Sequence, residues 1–273
     1  EQVEAYRAHL IHEERGGATV KKYCRDILAF FHFLPEDKGI TKERVLEYKE
    51  MLAGKYKTAS GNSMLAAVNG FLSFCGLGQC RVRLFRVQRS AFRQKERELT
   101  RQEYARLVRA ARERKNERLG LLLQTICSTG IRVSEHRFVT VESLRTGSVQ
   151  ISNKGKLRTV ILPRELRGML SRYCARRKLR TGPVFVTRGG RPMDRSNIWS
   201  EMKRLCAQAR VAPGKVFPHN LRHLFAFSFY RLEKDIVGLA DILGHTSIDT
   251  TRIYTRTSPA QHARIISRMR LLI

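Results

Sequence analysis

A basic segment without hydrophobic periodicity, residues 81–97, divides the sequence into two parts. A segment that cannot bury a regular apolar face is typical of a linker. The flanking parts, residues 1–80 and 98–273, are each long enough to enclose a hydrophobic core of their own. The sequence therefore predicts two domains that are connected by a basic linker.

The first part carries apolar residues at helical spacing. Val3, Tyr6 and Leu10 form one stripe, and Thr41 and Ser60 are predicted to cap the third and fourth helices. Short polar stretches separate the helical patterns. We therefore predict a small four-helix bundle over residues 1–80.

The second part combines helices with a β-hairpin. Thr100–Glu103 has the pattern of a capping box at the start of a helix. Two alternating segments, 148–152 and 157–162, flank the basic stretch Asn153–Lys156, which predicts a hairpin with a basic tip. Helical patterns account for most of the remainder, so the predicted fold class is mainly α with a small β-hairpin.

The net charge of +29 points to a polyanionic partner, and nucleic acid is the leading candidate. Residues 1–92 hold 15 basic and 10 acidic residues, whereas residues 93–273 hold 38 basic and 14 acidic ones. The excess charge therefore belongs mostly to the second part. Five linker arginines could contact phosphates, with a solvated tether as the alternative: Arg81, Arg83, Arg86, Arg89 and Arg93.

Several classes of protein are not indicated. An uninterrupted apolar run of about 18 residues, the signature of a membrane helix, does not occur, and no signal peptide opens the chain. The 6 cysteines form no C-x-x-C pair, so neither a disulfide framework nor a zinc site is predicted and a reducing cytoplasm is expected. The acidic residues of the second part form no cluster suited to a metal, so fixed cations are the expected partners of a phosphate.

Six residues of the second part have side chains suited to phosphoryl transfer, although each alone has an ordinary structural explanation. They are Arg132, Lys154, His219, Arg222, His245 and Tyr254. His219 and Arg222 share one face of a helix, and His245 follows a turn at Gly244. The phenol of Tyr254 is a candidate oxygen nucleophile that neighbouring groups would have to activate, since its ordinary pKa is about 10.

Five segments match the signature of a known family in order and spacing. They are TGIRVSE (129–135), NKGK (153–156), HNLRH (219–223), LGH (243–245) and Tyr254. Together they resemble the tyrosine recombinase (phage-type integrase) family, whose signature runs Arg, Lys, His-x-x-Arg, His or Trp, and Tyr. Residues 233–255 are most similar to integrases of mobile elements (conjugative transposons) from Gram-positive bacteria.

The resemblance implies a domain arrangement. It implies a two-domain C-shaped clamp, with a helical core-binding domain over 1–80, a linker over 81–97 and an α+β tyrosine-recombinase catalytic domain over 98–257. Residues 258–273 would form a tail helix that docks on a neighbouring protomer.

The resemblance also implies a role for each candidate. Arg132 and Arg222 would hold the scissile phosphate. Lys154 would protonate the leaving 5′ oxygen, with Lys156 as the rival for that role. Glu135 would orient Arg132.

The remaining roles concern the nucleophile. His219 would act as an acid or base near it, His245 would hydrogen-bond the phosphate, and Tyr254 would attack phosphorus to form a 3′-phosphotyrosyl link. A freed 5′-hydroxyl would reverse the step, so the family needs neither metal nor any other cofactor. His136 departs from the family pattern, because an apolar residue commonly follows that glutamate, and His223 is expected to be structural.

The implied function is site-specific recombination of DNA, by integration or excision of a mobile element through a Holliday junction. The alternatives are an Xer-type chromosome-resolution recombinase and a type IB topoisomerase-like DNA-relaxing enzyme. The expected partners are double-stranded DNA with a crossover site, a homotetramer on that DNA, and an accessory excisionase or host DNA-bending protein, on the bacterial nucleoid and not at a membrane. Further expected DNA contacts are Lys55, Lys57, Asn62, Ser63 and Lys156.

Overall fold

The computed structural model describes residues 1–86, 95–153, 156–245 and 247–255, without the side chains of residues 95, 153 and 156. The chain separates into two compact units, Glu1–Arg89 and Ser90–Ile273. The first unit is helical, and the second combines helices with a two-stranded sheet. The predicted mainly α, two-domain fold class is confirmed.

The first unit contains four helices: α1 (Gln2–His12), α2 (Gly17–Phe33), α3 (Lys42–Lys55) and α4 (Thr58–Phe74). Phe30, Tyr48 and Leu65 are fully buried between α2, α3 and α4. Thr41 caps α3 as predicted, since its hydroxyl accepts a hydrogen bond from the backbone N–H of Arg44. The prediction that Ser60 caps α4 is wrong.

The start of α4 shows why Ser60 is not the cap. The helix begins at Thr58, and Lys57 occupies the capping position. The backbone N–H groups of Ser60 and Gly61 both donate to the carbonyl of Lys57, so Ser60 already lies within the first turn. The serine before the apolar stripe therefore predicted the first turn of α4 correctly, but it did not predict the residue at which the helix begins.

Two asparagines attach the beginning of the predicted linker to α4. The Asn62 amide bonds both backbone groups of Phe85, donating to its carbonyl at 2.9 Å and accepting from its N–H at 2.7 Å. Asn69 treats Val82 in the same way, at 2.8 and 3.0 Å. Because the two asparagines lie seven residues apart, they share one face of the helix. The backbone of residues 82–85 thus lies along α4.

The second unit begins with helices that enclose its main core. They are α5 (Arg101–Glu113), α6 (Glu117–Thr129) and α7 (Val141–Thr146), with a 3₁₀ turn at Val133–Phe138. The predicted capping box is present, because Thr100 and Glu103 bond each other's backbone N–H groups. α6 ends at Gly130, whose φ is +67° and whose Cα faces the Phe225 ring so closely that a Cβ would lie 2.5 Å from it. Only glycine fits this helix end.

The hairpin consists of β1 (Ser148–Asn153) and β2 (Lys156–Ile161), paired antiparallel from Ser148 opposite Ile161 to Asn153 opposite Lys156. Val149, Ile151 and Val160 are buried on one face, whereas Leu157 and Ile161 are exposed on the other. This alternation follows the two-residue period of a strand. The strands agree with the predicted segments 148–152 and 157–162 to within one residue at each end.

The remaining elements are α8 (Arg164–Arg176), α9 (Arg195–Arg204), α10 (Cys206–Ala209), α11 (Pro218–Glu233), α12 (Ile236–Leu243) and α13 (Ile248–Thr251), followed by a 3₁₀ turn at Arg252–Tyr254. A separate apolar cluster joins α11, α12 and this last turn through Phe227, Leu239 and Tyr254. Within the described ranges, no helix is long and apolar enough to cross a membrane.

Candidate active site

The side chains predicted to do chemistry come from separate elements of the second unit. The turn after α6 supplies Arg132, α11 supplies His219 and Arg222, the turn after α12 supplies His245, and the final 3₁₀ turn supplies Tyr254. Hydrogen bonds, ring contacts and electrostatic interactions connect these five residues, as described below. Lys154 lies outside the described residues, so its role remains a prediction.

Arg222 is the buried centre of the site, with only 2% of its surface exposed. Its Nη1 donates to the carbonyl of Gly130 at 2.7 Å, and its Nη2 donates to the carbonyl of Leu243 at 2.7 Å. Burial, and then the charge of Arg132, lowers its pKa to about 10. The guanidinium is therefore positively charged at neutral pH, and these two backbone carbonyls hold it without neutralising its charge.

Arg132 lies nearer the surface and is oriented by a carboxylate. Its Nη1 donates to Oε1 of Glu135 at 2.9 Å, and its Nη2 donates to the carbonyl of Gly244 at 3.2 Å. The side chain is 35% exposed, whereas that of Glu135 is 3% exposed. These contacts are the ones that the predicted orienting role of Glu135 requires.

Arg158 is a site residue that the sequence analysis missed. From β2 it donates to both carboxylate oxygens of Glu135, at 3.0 Å from Nη1 and 2.7 Å from Nη2. Burial alone would raise the pKa of Glu135, but the hydrogen bonds from Arg158 and Arg132 outweigh that effect and lower it. A signal was available, because Arg158 shares the inward face of β2 with Val160, and a charged residue on an apolar face needs a partner.

Gly244 allows Arg158 to come close. The residue has a φ of +63°, and a Cβ there would lie 2.8 Å from Cδ of Arg158. Its carbonyl accepts the hydrogen bond from Arg132. The turn that carries His245 thus accepts a hydrogen bond from Arg132 and packs closely against Arg158.

His245 makes two hydrogen bonds through its ring nitrogens. Its Nε2 lies 3.1 Å from Nη2 of Arg222, and its Nδ1 lies 2.8 Å from the hydroxyl of Thr251. Burial, followed by the charges of Arg222, Arg132 and Arg158, lowers its pKa to about 4. The ring is therefore neutral at pH 7.

Tyr254 is enclosed by aromatic rings and is only 3% exposed. The ring centroids of His223 and Phe227 lie 5.3 and 5.1 Å from that of Tyr254, both edge to face. Burial raises the pKa of Tyr254 to about 12, although the charge of Arg222 acts in the opposite direction. The phenol is thus protonated at neutral pH.

His219 reaches this cluster through a second histidine. Its ring centroid lies 4.3 Å from that of His223, which in turn contacts Tyr254. Partial burial of the ring, and then the charges of Arg222 and Arg132, lowers the pKa of His219. A neutral imidazole at this position could accept a proton.

His136 occupies the inward position that the family pattern gives to an apolar residue. It is 3% exposed, and its ring lies edge to face with Phe185 at 6.2 Å. Its Nδ1 contacts the carbonyl of Val133, and burial lowers its pKa. The departure is therefore accommodated as a neutral ring in the core, directly after Glu135.

The expected DNA contacts lie at different places. Lys55 ends α3, Lys57 precedes α4, and both are exposed, whereas Ser63 is half-buried on α4. Both polar groups of the Asn62 amide are engaged by Phe85. Arg81, Arg83 and Arg86, within or next to the segment that lies along α4, are exposed. Arg89, Arg93 and the side chain of Lys156 lie outside what the structure describes.

Metal ligands were not predicted for this site. Among the described residues, no three or more His, Cys, Asp or Glu side chains are grouped so that they could hold a metal ion. The charged groups that converge here are Arg132, Arg158, Arg222 and Glu135.

Known proteins with related sequences are tyrosine recombinases. The Xanthomonas campestris tyrosine recombinase XerD is 35% identical over 151 residues, which cover 49% of this chain and 46% of that protein. This matched region thus spans about half of that relative. The Pyrococcus furiosus tyrosine recombinase XerA is 27% identical over 281 residues, covering all of this chain and 95% of that protein.

A solved structure with the same fold is a Tn1549 transposon integrase in complex with circular intermediate DNA. It has a TM-score of 0.74 at 16% identity and covers 97% of this chain and 98% of that one. A lambda integrase dimer bound to a COC′ core site gives the same TM-score and identity and covers 95% of each chain. At this identity the likeness concerns the fold.

The family profiles cover both parts of the chain. Residues 3–76 match the phage integrase N-terminal SAM-like domain, and residues 97–261 match the phage integrase family. The second match alone spans more than half of the chain, and it confirms the resemblance read from the five sequence motifs. The chain therefore belongs to the phage integrase family.

Proposed function

We propose that this protein is a site-specific DNA recombinase that cuts and rejoins strands through a 3′-phosphotyrosyl intermediate and a Holliday junction, and so integrates or excises a mobile element. The observation that carries the proposal is the buried guanidinium of Arg222, whose charge its backbone carbonyl partners leave unneutralised. Such a charge, fixed beside Arg132, His245 and Tyr254, suits a phosphodiester whose negative charge grows in the transition state.

The proposed chemistry exchanges one phosphoester bond for another. Arg132 and Arg222 bind the nonbridging oxygens, and His245 hydrogen-bonds one of them. The Oη of Tyr254 attacks phosphorus while its proton passes to a neighbouring base, for which His219 is the candidate. The bond from phosphorus to the 5′ oxygen breaks, and Lys154 protonates that oxygen. A 5′-hydroxyl from a partner strand then attacks phosphorus, and the bond from phosphorus to the Oη of Tyr254 breaks. The phenol regains a proton from the same base, and a DNA backbone is restored.

Tyr254 must become accessible before it can attack. In the structure it is 3% exposed and packs against Phe227, so its phenol is withdrawn from solvent. We propose that binding of DNA shifts the short 3₁₀ turn Arg252–Tyr254 and presents the phenol to the phosphate. The turn has only three residues, so the shift would break few backbone hydrogen bonds, and its main cost would be the loss of the contacts of Tyr254 with His223 and Phe227.

The partners follow from the same proposal. Double-stranded DNA with a crossover site would be the substrate, and the exposed Lys55, Lys57, Arg81, Arg83 and Arg86 would contact its backbone. A homotetramer would assemble on it, as a lambda integrase does in a tetramer bound to a Holliday junction. An accessory excisionase or a host DNA-bending protein would assist, and the site of action would be the nucleoid in a bacterial cytoplasm.

The first experiment finds the substrate and the nucleophile together. A library of nicked duplexes with random cores is incubated with the protein, and covalent adducts are recovered and sequenced. A suicide duplex built from the recovered core is expected to give an adduct with the wild type and none with Tyr254→Phe, with or without EDTA. An adduct on the Tyr254→Phe variant would refute the assignment of the nucleophile, and loss of the adduct in EDTA would refute catalysis by fixed cations alone.

An Xer-type resolvase is the second candidate, because the XerA alignment spans the whole chain. The two functions differ in where their target sites lie. A plasmid with two recovered cores in direct repeat would be resolved by either enzyme, so the recovered core is compared with the host chromosome and with mobile-element ends. Relaxation of a supercoiled plasmid that lacks the core would instead indicate topoisomerase-like activity.

A further inference from the structure

A buried threonine contacts the histidine of the site. Thr251, the last residue of α13, is fully buried, and its Oγ1 lies 2.8 Å from Nδ1 of His245. Thr250, its neighbour, is exposed. The hydroxyl of Thr251 is thus directed at a ring nitrogen inside the site and not at solvent.

The contact between Nε2 of His245 and Arg222 determines which of the two ring nitrogens carries the proton. Nη2 of Arg222 lies 3.1 Å from Nε2, and a guanidinium can only donate hydrogen bonds. Nε2 must therefore accept. A neutral imidazole has a single N–H group, which then resides on Nδ1 and donates to Oγ1 of Thr251.

This tautomer is the wrong one for contact with a phosphate. The nonbridging oxygens of a phosphodiester are acceptors, so a neutral His245 that hydrogen-bonds them through Nε2 must carry its proton there. Nδ1 then has no proton and accepts a hydrogen bond, so its partner must donate one and no longer accept one. A hydroxyl can supply both, because it can donate or accept by rotating about the Cβ–Oγ1 bond.

We propose that Thr251 is a positioning residue that holds His245 in its Nδ1-protonated tautomer in free protein and, when DNA is bound, reverses its hydrogen bond so that Nε2–H donates to the scissile phosphate. The inference rests on the proposed function. Nδ1 releases one proton to solvent and Nε2 takes one up, so the ring stays neutral. Nη2 of Arg222 turns from Nε2 to a phosphate oxygen in the same event.

The experiment reads the tautomer directly. The full chain carrying Tyr254→Phe is labelled with ¹⁵N-histidine, and two-bond ¹H–¹⁵N correlations are recorded alone and with the duplex core recovered by covalent capture. Signals of His245 are assigned by their loss in His245→Gln. We expect a protonated Nδ1 in the free protein and a protonated Nε2 in the complex.

Three variants separate positioning from simple packing. Thr251→Ser keeps the hydroxyl and should keep the exchange of tautomers, whereas Thr251→Val, which is nearly isosteric, should prevent it. With Tyr254 intact, single-turnover cleavage should fall about tenfold in Thr251→Val, the effect of one hydrogen bond, and recover in Thr251→Ser. Thr250→Val is the surface control and should match the wild type. If Thr251→Val does not fold, Thr251→Ala takes its place.

The outcomes distinguish this inference from the proposed function. A protonated Nε2 in the free protein, or the same tautomer exchange and cleavage rate in Thr251→Val as in Thr251→Ser, would overturn the role of Thr251. Absence of a covalent adduct with the wild-type chain would overturn the proposed function. The tautomer of the free protein can be measured whichever result the cleavage assay gives.

Discussion

The arginines of the candidate active site are held in two chemically different ways. Arg222 is buried and bonded by the carbonyls of Gly130 and Leu243. Arg132 and Arg158 are instead bonded to a single carboxylate, Glu135. Carbonyls orient a guanidinium and leave its charge intact, whereas a carboxylate also neutralises one unit of charge. The site therefore combines one full charge at its centre with a partly compensated pair at its edge.

The difference shows how a strongly basic chain can build a stable site. Glu135 allows two arginines to lie near each other and near Arg222 without mutual repulsion dominating. The carbonyls cannot do this, but they keep the central charge available for a phosphate. The following predictions test the two sides of this comparison and the contact between them, from the largest expected effect to the smallest.

Replacing the central guanidinium tests the carbonyl-held side. Arg222→Lys should reduce single-turnover cleavage of the suicide duplex by about a thousandfold, because an ammonium cannot bond two carbonyls and a phosphate in one plane. Arg231→Lys, an exposed position on the last turn of α11, is the matched control and should leave the rate unchanged. If Arg222→Lys cleaved at a rate within tenfold of the wild-type rate, the planar arrangement of the guanidinium donors would not be required.

Removing the shared carboxylate charge tests the other side. Glu135→Gln should lower the free energy of unfolding by about 3 kcal/mol at pH 7, because Arg132 and Arg158 lose the buried carboxylate that balances their charge. The control is Glu117→Gln, which breaks the pair between Glu117 and Arg176 on the surface, where both side chains are about half exposed. That change should cost less than about 1 kcal/mol in urea unfolding. Equal losses in the two variants would contradict the neutralising role of Glu135.

Gly244 lies between the two sides and tests their contact. Gly244→Ala should cost about 2 kcal/mol of stability, because alanine is strained at positive φ and its Cβ would displace Arg158. Gly190 also has a positive φ, +74°, but nothing lies within 4 Å of the position of its Cβ. Gly190→Ala should therefore cost only about 1 kcal/mol, the strain alone. Thermal unfolding compares them, and an equal cost would mean that Arg158 yields freely.

The pH dependence of stability tests the electrostatic effect of Arg222 and its neighbouring arginines on His245. His245 has a folded-state pKa of about 4, below its ordinary value of 6.5. Between pH 6.5 and 4, the imidazole of His245 is therefore protonated in the unfolded chain but neutral in the folded chain. The free energy of unfolding consequently decreases as the pH falls from 6.5 towards 4. His245→Gln should remove about 1 kcal/mol of that loss, since the ring is partly exposed and the charges are screened. If urea titrations gave the wild type and His245→Gln the same dependence of stability on pH, the proposed effect of the arginine charges on His245 would be contradicted.

The fold and much of the site could be predicted because their signals are local. Apolar spacing, the capping box at Thr100 and the alternation in the hairpin each depend on neighbours in the chain, and all three are confirmed. The motif residues were recognised by order and spacing, and family membership is confirmed by the profile matches. The catalytic roles of these residues, and the function of Lys154 above all, remain predictions.

The contacts that were missed depend on distant partners. Arg158 is explained by Glu135, 23 positions earlier, and Asn62 by the backbone of Phe85, 23 positions later. Neither pairing has a periodic signature in one sequence. Thr251 likewise has no signal of its own in the sequence, and only the position of His245 shows what its hydroxyl contacts. The prediction for Ser60 was wrong because Lys57, at the capping position of α4, makes no side-chain capping hydrogen bond, so no capping residue marks the start of the helix.

Substitution of the scissile phosphate by a methylphosphonate tests most directly whether fixed guanidinium charges perform the reaction. The methyl group removes the negative charge that the arginines are proposed to neutralise. Arg132→Ala is suited to this test, because Arg132 is partly exposed and Glu135 keeps its bonds to Arg158. We predict that this variant fails on the ordinary suicide duplex and recovers to within about tenfold of the wild-type rate on the neutral one, while Tyr254→Phe is inactive on both. Equal failure of Arg132→Ala on both duplexes, with DNA binding intact, would contradict the account.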